Sequence, residues 1–273
     1  MPGEKAILCC FVVFMLLSVL HNPTLFAGGS AENSIAIVYN NVPGDMSSGV
    51  KVGGGFSAFI VFNQKEILFD TGGDTAILIN NIRALGLNLE HLDAAVISHN
   101  HWDHVYGLPG IHALTGVTPK VYVPGSSKDS VLQQNPHLDV VPIQEPMEIM
   151  PSVWSTGEVK TSYRDIALLE QSLILDGGEG LYVITGCAHP GVVEIIERVK
   201  EILPERPIAL VTGGFHLVNA TEEEVRGISA KLKELGVKNI APSHCTGSMA
   251  MDIFREEWGD RHVELYLGHV HKF

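Results

Sequence analysis

The stretch His99-Asn100-His101-Trp102-Asp103-His104 places three imidazoles and one carboxylate within six residues. Imidazole nitrogen and carboxylate oxygen are the donors that a borderline divalent cation takes, zinc first, with iron and manganese also open. On an extended or turning backbone His99 and His101 face the same side and can share one ion. Asp103 and His104 are adjacent on the turn that follows and can reach a second ion nearby. Such a pair of ions performs water activation or Lewis-acid catalysis, and Asp103 can both ligate and orient the attacking water. Four ligands from six residues leave each ion under-coordinated, so the rest must come from later in the chain.

Candidates stand at the ends of three apolar runs: His189 in TGCAHPG, His216 in TGGFHL and His244 in PSHCTG. A single strand-terminal histidine is more often structural, but three in succession after such a cluster reverse that weighting. Strand ends converge at one edge of a sheet, where sites are built. Asp70 ends another apolar run and suits fixing a histidine tautomer through its second ring nitrogen, although an Asp before Gly72 also serves a plain turn. Cys187 and Cys245 flank the candidate ligands and read as small buried fillers. His269 and His271, near the C-terminus, read as exposed.

The elements that position these residues follow from periodicity. Leu92 to Ser98 reads as the strand that delivers the histidine cluster. Ser34 to Tyr39, Phe56 to Phe62 and Glu66 to Phe69 precede it as strands, and Ala76 to Leu85 has helical spacing stopped by Gly86. Lys120 to Val123 and Val140 to Ile143 are short strands, and Ser172 to Leu175 pairs with Leu181 to Thr185 across Asp176-Gly177-Gly178-Glu179-Gly180. Val192 to Leu203, the segment opened by the capping box Thr221-Glu222-Glu223-Glu224, and Ser248 to Trp258 are helical. Ile208 to Thr212, Asn239 to Pro242 and a final Val263 to Leu267 are strands. This order predicts an α/β fold, an αββα sandwich of two mixed sheets face to face with helices on both outer faces.

The net charge of −13 argues against a general nucleic-acid binder, because phosphate contacts need a basic face. A small-molecule substrate is the expected partner. Lys5 and the apolar run Ala6 to Leu20 resemble a signal peptide more than a bilayer span, which needs roughly 20 residues. Residues 1–27 are therefore read as a signal peptide and 28–273 as one domain, exported, with no stable membrane association after cleavage and an anchor if uncleaved. Of the four cysteines only Cys187 and Cys245 remain after position 27, which is no disulfide framework, though one bridge is possible.

The fragments FSAFIVFNQKEILFDTG, AAVISHNHWDHVYGLPG, ITGCAHPGVVEII, VTGGFHL and PSHCTGSMAM occur in this order. Together they resemble the metallo-beta-lactamase superfamily, in the branch often labelled 7,8-dihydropterin-6-methyl-4-(β-D-ribofuranosyl)-aminobenzene-5′-phosphate synthase. The resemblance spans about Ile35 to Leu267. It implies His99, His101 and His189 around one metal and Asp103, His104 and His244 around the other, with two divalent ions, zinc first. Many members carry a bridging Asp after a strand. Here the corresponding strand ends are Thr185-Gly186-Cys187 or Thr212-Gly213-Gly214, and neither has one, which leaves a water bridge, His216 as substitute, or a weak second site. The resemblance implies a metal-dependent hydrolase of a small ester, phosphoester or amide. The alternatives are a transferase that condenses a pterin diphosphate with an aminobenzene ribofuranoside phosphate, a redox diiron site, and a non-enzymatic metal or ligand binder.

Overall fold

The computed structural model describes residues 32–116 and 118–273, so the expected signal peptide lies outside the described residues. Ser34–Asn40 (β1), Phe56–Phe62 (β2), Lys65–Phe69 (β3), Ala94–Val96 (β4), Lys120–Pro124 (β5) and Asp139–Ile143 (β6) lie in that order across the first sheet. β1 to β3 run antiparallel, and β3 to β6 are parallel neighbours. Met147–Met150 (β7) and Val153–Ser155 (β8) begin the second sheet. A separate hairpin, Val159–Tyr163 (β9) and Ile166–Glu170 (β10), interrupts it. Leu173–Gly177 (β11), Gly180–Thr185 (β12), Ile208–Gly214 (β13) and Val237–Ser243 (β14) complete it in the order β14-β13-β12-β11-β8-β7. Val270–Lys272 (β15) closes the first sheet against β1.

The strands are apolar on both faces because both faces are covered, as in sheets sandwiched by helices. Along β2, Phe56, Ala58 and Ile60 face the second sheet and join Leu173, Leu175 and Ile184 in one core. The alternate residues Phe59 and Val61 face outward with Leu68, onto Leu78 and Ile82 of Thr75–Ala84 (α1). Trp102–Val105 (α2), Leu108–Leu114 (α3) and Lys128–Gln134 (α4) add Val105, Ile111 and Val131 to the same layer. On the opposite side Val192–Ile202 (α5), Glu222–Glu234 (α6) and Ser248–Trp258 (α7) bury Ile196, Leu232 and Phe254 against Val183, Val211 and Ile240. The Thr221 capping box is formed with both reciprocal bonds. The result is the four-layer αββα sandwich.

Some elements differ from the sequence expectation. Val263 to Leu267 is not a strand. Leu265 and Leu267 are apolar because they are buried, and apart from single bridges at His262 and Leu267 the segment pairs with nothing. The final strand is instead β15, which half-buries His271 beside Phe273 and Tyr182, so His271 is not an exposed tail residue. β7 to β10 carry no clean apolar alternation and escape a periodicity reading. Leu68 is fully buried between sheet and α1. Leu68→Ala should destabilise the chain by about 2–5 kcal/mol in urea unfolding, through lost transfer energy and the cavity left behind.

Candidate metal centre

The site is assembled from the C-terminal ends of strands. β3 leads into Asp70, β4 into Ser98 and His99, β12 into Cys187 and His189, β13 into His216, and β14 into His244. β3 and β4 are parallel, and so are β12, β13 and β14, so their ends meet along one edge of the sandwich. At that edge the backbone turns sharply. Asp70, Ala188, His216 and His244 adopt φ of 54°, 57°, 52° and 54°, a left-handed region that costs non-glycine residues of order 1–3 kcal/mol each. Side chains aimed at the site are what this strain maintains.

The hydrogen bonds assign the histidine tautomers. Asp70 is fully buried and accepts the Ser98 amide and hydroxyl at 2.7 Å each. His104 Nδ1 donates to the same carboxylate at 2.7 Å. With the Ser98 hydroxyl proton committed to Asp70, His99 Nδ1 donates to Ser98 Oγ at 2.9 Å. His189 Nδ1 donates to the buried Glu170 carboxylate at 2.8 Å, and His244 Nδ1 to Asn41 Oδ1 at 2.7 Å. Four imidazoles, those of His99, His104, His189 and His244, therefore turn their Nε2 inward. His99 Nε2 faces His101 Nδ1 at 3.1 Å, and His104 Nε2 and His244 Nε2 lie 3.2 and 3.4 Å from Cys187 Sγ. Ring nitrogens gathered in a buried space, with the outer nitrogens held by hydrogen bonds, are a candidate donor set for a cation.

Asp103 Oδ2 sits 3.7 Å from His104 Nε2 and 3.6 Å from His244 Nε2, at the solvent side of the cluster. Asp103, His104, Cys187 and His244 can offer ligand atoms all within 4.8 Å of one another, as can His99, Cys187 and His189. His101 stacks edge-on at 4.6 Å from His99 and 4.9 Å from His189. His216 lies on the same edge, 4.3 Å from the His189 ring, and groups with Cys187 and Cys245 instead. Its Nδ1 is buried without a hydrogen-bond partner.

Burial, then the neighbouring imidazoles, pushes His99 well below its ordinary value. His101 is pushed down to about 4 by burial and by His189, and His244 to about 4 chiefly by burial. All three are neutral at pH 7, the form that binds metal. Burial also opposes charge on His104, but the Asp70 carboxylate outweighs it and pushes His104 up to about 9. Burial works against the Glu170 carboxylate, and its bonds to His189 and to the Cys187 and Ala188 amides reverse that and hold its pKa low.

Residues 50–201 match the family described as the metallo-beta-lactamase superfamily, over more than half of the chain. The chain belongs to this superfamily. It is 28% identical over 250 residues to the 7,8-dihydropterin-6-methyl-4-(beta-D-ribofuranosyl)-aminobenzene-5′-phosphate synthase of Methanocaldococcus jannaschii, covering 77% of this chain and 85% of that protein. An uncharacterized protein of the same organism is 30% identical over 228 residues, 72% of this chain and 85% of its own. A solved metal-dependent hydrolase of the beta-lactamase superfamily superposes with a TM-score of 0.72 at 27% identity, over 88% of this chain and 99% of that one.

Against the superfamily motif, the structure gathers His99, His101, Asp103, His104, His189 and His244 at one edge, with Asp70 behind His104. Cys187 is no mere filler. It is buried with its Sγ against His104 and His244, and both Cys187 and Cys245 are free thiols. Sequence reasoning missed Glu170, Asn41, Ser98 and Tyr163. Ser98 stands beside His99 after β4, whereas Glu170, Asn41 and Tyr163 come from the β9–β10 hairpin and a loop, where no motif marks them. Tyr163 ends β9 with its ring 4.9, 5.2 and 5.7 Å from His101, His189 and His216.

Glu170→Gln should weaken metal affinity by about 10- to 100-fold in chelator competition, because His189 loses its ionic partner. Unchanged affinity would show that the Glu170 bond does not set His189. Metal-free protein should also show a defined pH dependence. His101 and His244 have folded values of about 4 against 6.5, so the unfolded chain binds protons the folded chain refuses. That contribution is complete above pH 6.5 and is lost as pH falls toward 4. His104, raised to about 9, acts oppositely: its contribution is complete below 6.5 and lost as pH rises through 9. Urea midpoints of metal-free protein should therefore fall on acidification from 6.5 to 4, and a rise in that window contradicts the assignment.

Proposed function

We propose that this protein is a metal-dependent hydrolase with two divalent ions, zinc first, acting on a small ester, phosphoester or amide. The observation that carries the reading is the set of buried imidazoles whose outer nitrogens are all committed to Ser98, Asp70, Glu170 or Asn41. His99, His101 and His189 would hold one ion and Asp103, His104 and His244 the other. The ions would supply Lewis acidity and lower the pKa of water toward about 7.

The chain's own residues do the rest. Asp103, at the solvent side with 21% of its side chain exposed, orients the attacking water and holds its proton. Tyr163 covers His101, His189 and His216 and limits bulk water. Arg164 lies at the hairpin tip, 5.1 Å over the Tyr163 ring, and offers a cation to an anionic substrate. A cleft of about 560 Å³ runs from His216 past Leu217, Ala220 and Ile228 to Lys231 and suits a small molecule. The similar hydrolase structure supports this reading, and the name of the M. jannaschii relative supports a transferase instead.

The test is turnover of a panel of phosphoesters, lactones and amides by chelated protein restored with zinc, iron or manganese. Metal-restored hydrolysis is expected, with Asp103→Asn lowering kcat by about 10²–10⁴-fold. His189→Ala and His244→Ala should lose metal, and His216→Ala should lose less. Condensation of a pterin diphosphate without hydrolysis of any panel member would overturn the hydrolase assignment.

A further inference from the structure

The superfamily's bridging carboxylate has no counterpart here, and the structure narrows what replaces it. The Gly213-Gly214 strand end has no room for a side chain. A Cβ on Gly214 would stand 2.6 Å from Cys245 Sγ and 3.1 Å from His244 Cδ2, and Gly213 is held at φ 117°. Gly186 is closed too, because a Cβ there would collide with the Ser98 hydroxyl and approach Asp70 Oδ2 at 3.0 Å. His216, its ring 4.3 Å from that of His189, offers its ligand atom in a group with Cys187 and Cys245. Cys187 is common to all three candidate groups among the described residues: with Asp103, His104 and His244, with His99 and His189, and with His216 and Cys245. It is 4% exposed, its Sγ lies 3.2 and 3.4 Å from the Nε2 atoms of His104 and His244, and its amide is anchored to Glu170 at 3.0 Å.

We infer that Cys187 Sγ bridges the two ions as a thiolate, in the place a carboxylate takes elsewhere in the superfamily. The inference rests on the two-ion reading above. A thiolate sulfur with three lone pairs can serve two cations at once, and a coordinating thiol releases its proton to solvent as the metal binds. One Sγ then completes both ligand sets without a further side chain. A soft thiolate bridge selects zinc, cobalt or ferrous iron over manganese, whereas a carboxylate bridge favours the harder ion. Cys245, whose sulfur lies 3.6 Å from the Cys187 carbonyl oxygen, groups with Cys187 and His216 but with none of His99, Asp103, His104, His189 and His244, so it is not the bridge.

The test loads the full chain with Co²⁺, and reads metal stoichiometry beside absorption. Wild type should bind two cobalt ions per chain with an intense near-ultraviolet thiolate-to-cobalt band. Cys245→Ala should keep the band. Cys187→Asp should keep two ions, lose the band, and shift preference from zinc toward manganese in competition. Cys187→Ala should lose the band and weaken binding by at least the ~10–100-fold that loss of an outer partner costs. Because the wild-type and Cys245→Ala spectra stand alone, misfolding of a Cys187 variant does not protect the claim. Two bound cobalt ions without the band, or a band that survives Cys187→Ala, would overturn the thiolate bridge alone. Wild type that binds no cobalt would overturn the two-ion reading and the bridge with it.

Discussion

The buried carboxylate of Asp70 is the constraint on which the site depends. A carboxylate with no access to water is tolerated only when donors satisfy it. Asp70 finds them in the Ser98 amide, the Ser98 hydroxyl and His104 Nδ1. Those bonds join the end of β3, the end of β4 and the turn into α2 at one point. Ser98, fixed in this way, can then only accept from His99. A single buried charge thus determines the tautomer of two histidines and the path of three segments.

Glu170, the last residue of β10 in the separate hairpin, repeats the device. It gathers the amides of Cys187, Ala188 and His189 and the ring of His189, so the loop after β12 has one conformation. The seam between the two halves is closed by the next residue. Gln171 donates its amide to the Ser98 carbonyl and its side chain to the Ile97 carbonyl, at 2.9 and 2.8 Å. Ligands from both sheets therefore hold their separation through hydrogen bonds at the seam and through the shared core of Phe56, Phe69, Leu173 and Ile184 beneath. A site split between sheets in this way is rigid without a disulfide, and the two cysteines remain available as thiols.

Strain and close packing follow from the same convergence. Strand ends that meet at one edge bring backbones together, so Gly186 and Gly214 have no space for a Cβ. The residues that must still carry a side chain there, His216 and His244 among them, take left-handed backbone instead. Tyr163 comes in above them from a hairpin that belongs to neither main sheet.

The sequence by itself determined the donor chemistry. The six-residue cluster, the strand-end histidines His189 and His244, and Asp70 after an apolar strand are local patterns, because each ligand follows directly from the strand that carries it. Most long strands and helices were legible for the same reason, their apolar period being a property of neighbouring residues. Tertiary structure decided what lies between the ligands. Whether Cys187 fills space or faces two imidazoles depends on contacts separated by 83 and 57 positions in the chain. Glu170 and Asn41 act through single bonds from segments with no motif, and Leu265 and Leu267 are apolar for burial without being a strand. Periodicity records which face of an element is buried, and it carries no record of which buried faces meet.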